Sequence, residues 1–318
     1  MLLLTGGSGF VGQALTNNQT IQSLGITVVG RRPNISLSSN IRQITIGDFL
    51  PSTEWSRYLP GIDTVIHLAA RVHVISETAS DPLAEFRKTN TASTLNLASQ
   101  AAASGVSRFI FLSSIKVIGE FSQPGKPFTS DDINIPTDPY GLSKFEAEQG
   151  LRKLANQTGM EVVIIRPPLI YGPGVKANFL EMMRWLDKGV PLPLGAINNK
   201  RSLVALENLV DLIITCIDHP AAANQTFLAG DGEDLSTTEL LSRISKALGK
   251  PARLIPVPER LLKIGLNAVG KKDIAQRLCG SLQVDISKAK DLLGWEPPVS
   301  VDDGLKKTVA WFKKRTEC

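Results

Sequence analysis

Through the first half of the chain, short runs that are apolar at every position alternate with longer stretches in which apolar residues recur every three or four positions. Leu2–Thr5 reads as a buried strand, followed by a glycine turn and a helix running to about Gln22. Ile26–Val29 is the second strand, Ile41–Ile46 the third, and Thr64–Leu68, after the Pro60-Gly61 turn, the fourth. Glu85–Ser104 has the helical period and is closed by Gly105, because glycine enters the left-handed conformation of a helix end without a Cβ penalty. Phe109–Leu112 is the fifth strand. Thr137-Asp138-Pro139 starts a helix with proline in its first turn, Gly159 ends it, and Val162–Ile165 is the sixth strand.

Strands that are apolar throughout and separated by helices predict a parallel sheet covered on both faces. Pro167, Pro168, Pro173, Pro191 and Pro193 break the following region into loops, and helical patterns dominate from Thr237 onward. The segment Arg260–Gly270 is amphipathic and can pack on the body of the protein or act as a lid; its pattern does not choose between them.

Composition narrows the class. The 318 residues are 42% apolar and 20% charged, ordinary for a globular protein. The net charge of +5 comes from scattered basic residues, and the tight run Lys313-Lys314-Arg315, with Lys306 and Lys307 before it, has no interleaved aromatics. It reads as a solvated helix tail and not as a nucleic-acid patch. Cys216, Cys279 and Cys318 are far apart and odd in number, which predicts neither a zinc site nor a disulfide framework and points to a reducing compartment. The apolar start Met1–Leu4 is too short for a signal peptide, and no apolar window of about 18 residues occurs, so no transmembrane segment and a cytoplasmic location are expected.

Thr5-Gly6-Gly7-Ser8-Gly9-Phe10-Val11-Gly12 joins the first strand to the first helix. Gly6, Gly9 and Gly12 allow a sharp turn, close approach to a pyrophosphate and tight helix packing, while the amides at Phe10 and Val11 face the anion. The bland alternative is a tight strand–helix turn. With the alternating pattern, this predicts an α/β fold: a Rossmann doubly wound parallel sheet over residues 1–170, rejoined by about 203–217, and a smaller mixed α/β substrate lobe over the rest of 171–318. The second strand ends in Val29-Gly30-Arg31-Arg32-Pro33, with no carboxylate for a ribose 2′-hydroxyl. Guanidinium groups suit a 2′-phosphate, so NADP(H) is favoured over NAD(H), unless Arg31 and Arg32 merely face solvent. Asp48, with Phe49 beside it, is placed for the adenine, and Leu68, Ala69 and Ala70 supply small residues for close approach. His67 reads as a satisfied core histidine.

Tyr140 alone among the three tyrosines has a lysine, Lys144, four residues on. Positions i and i+4 share a helix face, and a nearby ammonium favours phenolate, lowering a pKa otherwise about 10. Such a phenol can exchange a proton with a sugar oxygen. Ser113-Ser114, ending the fifth strand, can bond the same oxygen.

With these residues in place, the chain resembles the extended short-chain dehydrogenase/reductases, the NAD-dependent epimerase/dehydratase family, in the branch that acts on nucleotide sugars. The likeness spans essentially the whole length and is carried by the TGGSGFVG loop, HLAA, Asn90, LSSIKVIG, YGLSK and the closing Asp285-Ile286-Ser287-Lys288-Ala289…Leu293-Gly294-Trp295. It implies Ser114, Tyr140 and Lys144 as the catalytic set, Lys144 also holding the nicotinamide ribose, and a UDP-sugar as substrate. Asn178, Leu192, Leu194 and Arg201 fall where relatives place diphosphate and uracil contacts, Arg201 being the best clamp. Ser113 and Lys116 are further substrate contacts, although Lys116 can equally be solvated. A homodimer is usual among relatives, with Thr91–Ala103 and Tyr140–Ala155 as the helical faces to test.

Departures from the family pattern narrow the reaction. Ile115 and Lys116 stand where dehydratases of the family carry an acidic pair, which argues against dehydration; Ile118 replaces a usual tyrosine, and Leu169 an asparagine common in 4-epimerases. Two readings survive. The preferred one is a reductase that delivers hydride from NADPH to C4 of a UDP-linked 4-keto-6-deoxy-N-acetylhexosamine, of the UDP-N-acetylquinovosamine-forming type in O-antigen biosynthesis. The alternative is a UDP-hexose (UDP-glucose or UDP-GlcNAc) 4-epimerase with tightly bound NAD. A non-catalytic NADP sensor is a third possibility, disfavoured because Tyr140 and Lys144 are both intact.

Overall fold

Every residue of β1 (Leu2–Thr5) is buried, as a central strand covered on both faces requires. The computed structural model describes residues 1–33, 37, 41–72, 80–123 and 125–316; Cys318 lies outside them. After β1 come α1 (Phe10–Thr16), α2 (Gln19–Ser23), β2 (Ile26–Gly30), β3 (Arg42–Thr45) and β4 (Thr64–His67). Next, α3 (Pro82–Phe86) runs through a π-helical stretch, Arg87–Ala92, into α4 (Ser93–Ala103), followed by β5 (Arg108–Leu112), α5 (Pro139–Thr158) and β6 (Glu161–Arg166). The chain continues with β7 (Leu169–Tyr171), α6 (Ala177–Asp187), β8 (Arg201–Ala205), α7 (Leu206–Asp218), β9 (Thr226–Leu228) and β10 (Asp234–Leu235). It closes with α8 (Thr237–Leu248), α9 (Glu259–Ala268), α10 (Lys272–Cys279), α11 (Ser287–Leu293) and α12 (Val301–Thr316).

The seven-stranded sheet has the order β3-β2-β1-β4-β5-β6-β9, and each neighbouring pair is parallel. This is the doubly wound α/β architecture. The path leaves β1 in one direction and returns to β4 on its other side, opening a crevice beyond their carboxyl ends. Alternate residues of each strand serve opposite layers. Leu2, Leu4, Ile66, Ile110 and Val163 pack with Leu209, Leu212 and Ile213 of α7, whereas Leu3, Val65, Phe109 and Val162 pack with Leu97 of α4 and Leu151 of α5. A second sheet, β10-β8-β7, has its own core of Tyr171, Phe179, Met183, Leu203, Leu241, Leu305 and Val309.

Several elements differ from the sequence expectation, each for a local reason. The first helix stops at Thr16, because Asn18 takes the N-cap of α2 and accepts from the amides of Thr20 and Ile21 at 2.9 and 3.3 Å. The helix expected from Glu85 begins at Pro82, capped by Asp81. Of the return segment 203–217, α7 covers the large sheet, but Leu203–Ala205 belong to β8 in the small one. The seventh large-sheet strand is β9, too short at three residues to announce itself by periodicity. By contrast, α5 has the expected ends: Asp138 accepts from the Gly141 amide at 3.0 Å, Pro139 follows, and Gly159 closes it at φ +75°.

Candidate active site

The glycine loop lies at the crevice between β1 and β4. Its shape is dictated by backbone crowding: a Cβ on Gly12 would stand 2.2 Å from the Gly6 carbonyl oxygen, and one on Gly6, at φ +77°, would stand 2.7 Å from the Ala69 amide nitrogen. Gly9 is the N-cap of α1 and supplies no side-chain acceptor, so the first-turn amides remain available to an anion. Leu68, Ala69 and Ala70 form a half-buried rim beside this turn. These residues fit a dinucleotide pyrophosphate. Phe10 and Val11 send their side chains into the protein, so only their backbone is offered to the crevice.

At the adenosine end expected for that crevice, Arg31 and Arg32 are exposed, and the Arg31 guanidinium lies 3.7 Å from the Asp48 carboxylate, also exposed. Phe49, the expected adenine-side neighbour of Asp48, is half-buried. Its ring packs 5.4 Å from that of Trp55 and its carbonyl accepts from Ser93, so it belongs to the layer beneath.

Ser114 has extended backbone at the end of β5 and begins the 3₁₀ turn Ile115–Val117, its Oγ accepting from the Lys116 amide at 3.3 Å. Its hydroxyl lies close enough to the phenol of Tyr140, in the first turn of α5, to favour the phenolate, and the Tyr140 ring stands edge-on to Phe86. Lys144, one turn on, is 2% exposed. Its Nζ donates to the Leu112 carbonyl at 2.9 Å and sits 4.3 Å from the centre of the Phe111 ring.

The electrostatics depart from the expectation of a depressed tyrosine. Burial pushes the Tyr140 phenol up to about 12, the Ser114 hydroxyl opposing and the Asp138 charge adding. Burial likewise pushes Lys144 down to about 7, against the attraction of Glu148. In the protein alone, desolvation outweighs any help the ammonium gives the phenolate. His67 is a core residue, as expected: it bridges Thr5 Oγ1 at 2.7 Å and Thr94 Oγ1 at 2.9 Å, and burial followed by the Lys144 charge pushes it down to about 3.

Ser113 departs from its expected role as a substrate contact, and Lys116, the other expected contact, is half-buried among carboxylates. Ser113 Oγ donates at 2.6 Å to Glu148, a fully buried carboxylate that also accepts from Arg166 Nε at 3.0 Å and Nη2 at 2.7 Å. The serine is thereby turned into the protein. Lys116 pairs with Glu120 and lies 3.6 Å from Asp138, tying the Ser114 turn to the N-cap of α5. Sequence reasoning missed Glu148, although it falls one turn beyond Lys144 on the same helix face. Asn90, buried in the π-helical stretch, accepts from the Arg71 amide at 2.8 Å and donates to the Arg71 carbonyl and Ser143 Oγ at 3.0 Å each. It fastens the segment after β4 to α5 beneath Tyr140.

In the small lobe, Asn178 is exposed in the first turn of α6. Leu192 and Leu194 are buried in the lobe's core instead of lining a binding surface. Their backbone is engaged too: Leu192 pairs with Arg253 and Ile255, and the Leu194 carbonyl accepts from Thr238. Arg201 donates to the carbonyls of Arg277 and Gly280 at 3.2 and 3.0 Å; burial lowers its pKa and the Glu120 charge opposes this. Glu120 therefore stands between Lys116 of the Ser114 turn and Arg201 of the small sheet. Among the described residues, no group of three or more His, Cys, Asp or Glu side chains could hold a metal, and no helix is long and apolar enough to cross a membrane.

Residues 2–230 match the NAD dependent epimerase/dehydratase family. The chain is 50% identical over 312 residues to a Vibrio cholerae UDP-glucose 4-epimerase, covering 98% of this chain and 95% of that protein. It is 28% identical to the Escherichia coli O157:H7 N-acetyl-alpha-D-glucosaminyl-diphospho-ditrans,octacis-undecaprenol 4-epimerase, covering 98% and 94% of the two chains. Among solved structures, it is similar in fold to the UDP-glucuronic acid 4-epimerase of Bacillus cereus in complex with NAD, at TM-score 0.77 and 23% identity over 99% of both chains. The chain thus belongs to the NAD dependent epimerase/dehydratase family and is an enzyme of the extended short-chain dehydrogenase/reductase kind, a nucleotide-sugar oxidoreductase.

Proposed function

We propose that this enzyme is a UDP-hexose 4-epimerase working with NAD held in the switch-point crevice, and that Ser114, Tyr140 and Lys144 carry the reaction. The observation that supports it most is the 50% identity, over nearly the whole of both chains, with a UDP-glucose 4-epimerase. This likeness reverses the order of the two readings drawn from the sequence, which placed the 4-keto reductase first.

The site's chemistry is compatible with epimerisation. One proton-transfer group is enough, because the same sugar oxygen loses a proton and later regains it. Tyr140 would take that proton from the C4 hydroxyl as the carbonyl forms, and return it after the sugar has turned its other face; Ser114 would hold the oxygen in place throughout. Lys144 would position the ribose beside them. Bound NAD supplies the hydride acceptor and donor at C4, and its positive nicotinamide ring favours phenolate where burial alone disfavours it. Dehydration lacks its acid: buried Ile115 and ion-paired Lys116 follow the serine. For the substrate diphosphate, Arg201 and Asn178 remain the candidates, whereas Leu192 and Leu194 would act only by shaping the lobe.

The carboxylate-free end of β2 favours the second reading, a UDP-linked 4-keto-sugar reductase using NADPH, although Asp48 beside Arg31 offers that guanidinium a partner within the protein. Purified enzyme incubated with UDP-glucose or UDP-GlcNAc and no added cofactor should generate the 4-epimer. NADPH consumption with a UDP-linked 4-keto-6-deoxy sugar, and no interconversion of the hexoses, would select the reductase.

A further inference from the structure

No residue of α9 is buried, although half of its ten residues are apolar or alanine. Leu262 and Leu266 are half-buried on the side toward the protein. On the opposite side, Leu261, Ile264 and Ala268 follow the i, i+3, i+7 spacing of one helical stripe and face solvent, Leu261 at 59% and Ile264 at 65% exposure. Val269 and Ile274, in the turn to α10 and in α10 itself, are also exposed, as is Ile255 on the segment that leads in.

The surrounding charge is one-sided. From Lys250 to Gly280 there are seven lysines and arginines against two carboxylates, Glu259 and Asp273, a surplus equal to the chain's whole formal net charge of +5. The net positive charge, first read as coming from scattered residues, is therefore concentrated in this segment. Lys263 is paired with Glu259, but among the described residues Arg260, Lys271 and Lys272 are exposed and form no ion pair.

We propose that the α9–α10 hairpin is a docking surface for an anionic lipid bilayer. An exposed apolar stripe flanked by unpaired lysines and arginines is the pattern by which a helix lies in the headgroup boundary, the stripe entering the acyl margin and the cations meeting lipid phosphates. A second copy of the chain fits less well, since apposing two such hairpins would bring like charges together. The surface adjoins the small lobe: Arg277 and Gly280, at the end of α10, supply the carbonyls that hold Arg201. Docking would thus bring that guanidinium close to the lipid interface. The proposal does not depend on which sugar reaction the enzyme performs.

The test is co-sedimentation of the full-length protein with phosphatidylcholine vesicles, with and without phosphatidylglycerol. Binding is expected only to the anionic vesicles and should weaken with salt. Combining Leu261→Asp with Ile264→Asp should reduce it at least about ten-fold, since both side chains are already in water and their burial is lost only in the bound state. Lys271→Ala and Lys272→Ala should each weaken it about five-fold; this pair guards against misfolding of the first. Turnover of a soluble UDP-sugar should be unchanged in all three variants. Absence of binding to anionic vesicles, binding indifferent to every one of these changes, or a shift of the wild-type protein from dimer to monomer on substituting Leu261 and Ile264, would overturn it.

Discussion

Tyr140 and Lys144 are each held away from their ordinary titration range by the same cause, removal from water. The phenol is pushed up to about 12 and the ammonium down to about 7, so each is biased toward its neutral form. Tyr140→Phe removes the phenol proposed to move the proton and should lower kcat by at least about a hundred-fold, with the protein still folded by circular dichroism. Lys144 also carries a stability signature. Its folded pKa lies below the unfolded value of 10.5, so keeping it charged costs stability at pH 7 and below, and that cost is relieved as pH rises from about 7 to 10.5. Lys144→Met should therefore melt at a higher temperature than wild type near pH 6, with the difference closing by about pH 10.5, while activity is lost. Thermal melts across that range check the sign; a difference constant with pH would show that the lysine is not held against its charge.

At the scale of elements, α5 is fastened to β6 by a charged cluster inside the sheet's flank. Glu148→Ala would leave Arg166 buried without its carboxylate, and a loss of about 3–5 kcal/mol is expected in urea unfolding. Replacing Glu148 and Arg166 together by methionine should recover most of it, because the larger cost is an unpaired buried charge and not the absence of the pair. Elements built by local rules were legible. β1, β4 and β5 are apolar at successive positions, and α5 carries Asp138, Pro139 and Gly159 at its ends. Where one residue redirected the chain, the pattern misled: Asn18 caps a new helix within an unbroken run of helical spacing. The π-helical stretch that presents Asn90 has no periodicity of its own. The partners of Ser113 and Lys116 were not legible either, since Glu148, Asp138 and Glu120 reach them only through the packing of α5 and the turn after β5. The residue types of the candidate site could be read; which of their hydrogen bonds were already taken could not.

Across the whole molecule, Asp231 joins parts that the sequence separates. Its carboxylate accepts from the Tyr171 hydroxyl at 2.8 Å, the Ala205 amide at 2.7 Å and Asn208 at 2.7 Å. Asn208 in turn exchanges hydrogen bonds with Val299, just ahead of α12. One side chain thus links β7, β8, α7 and the start of the last helix. Asp231→Ala should cost about 3 kcal/mol or more, because three donors lose their acceptor in a buried place. The loss should appear as one earlier unfolding transition; a separate early transition would mean that the two sheets unfold independently.

The turn after β1 is closed by its own backbone, with Gly12 seated on Gly6 and Gly6 against Ala69. Its shape therefore exists before any coenzyme arrives, and little chain entropy is left for capture to remove. The consequence is one of lifetime: a ready-made berth favours slow escape, which serves an enzyme that hands a hydride back to the molecule it came from. An enzyme that must discard its spent coenzyme after every turnover has no such use for a long residence.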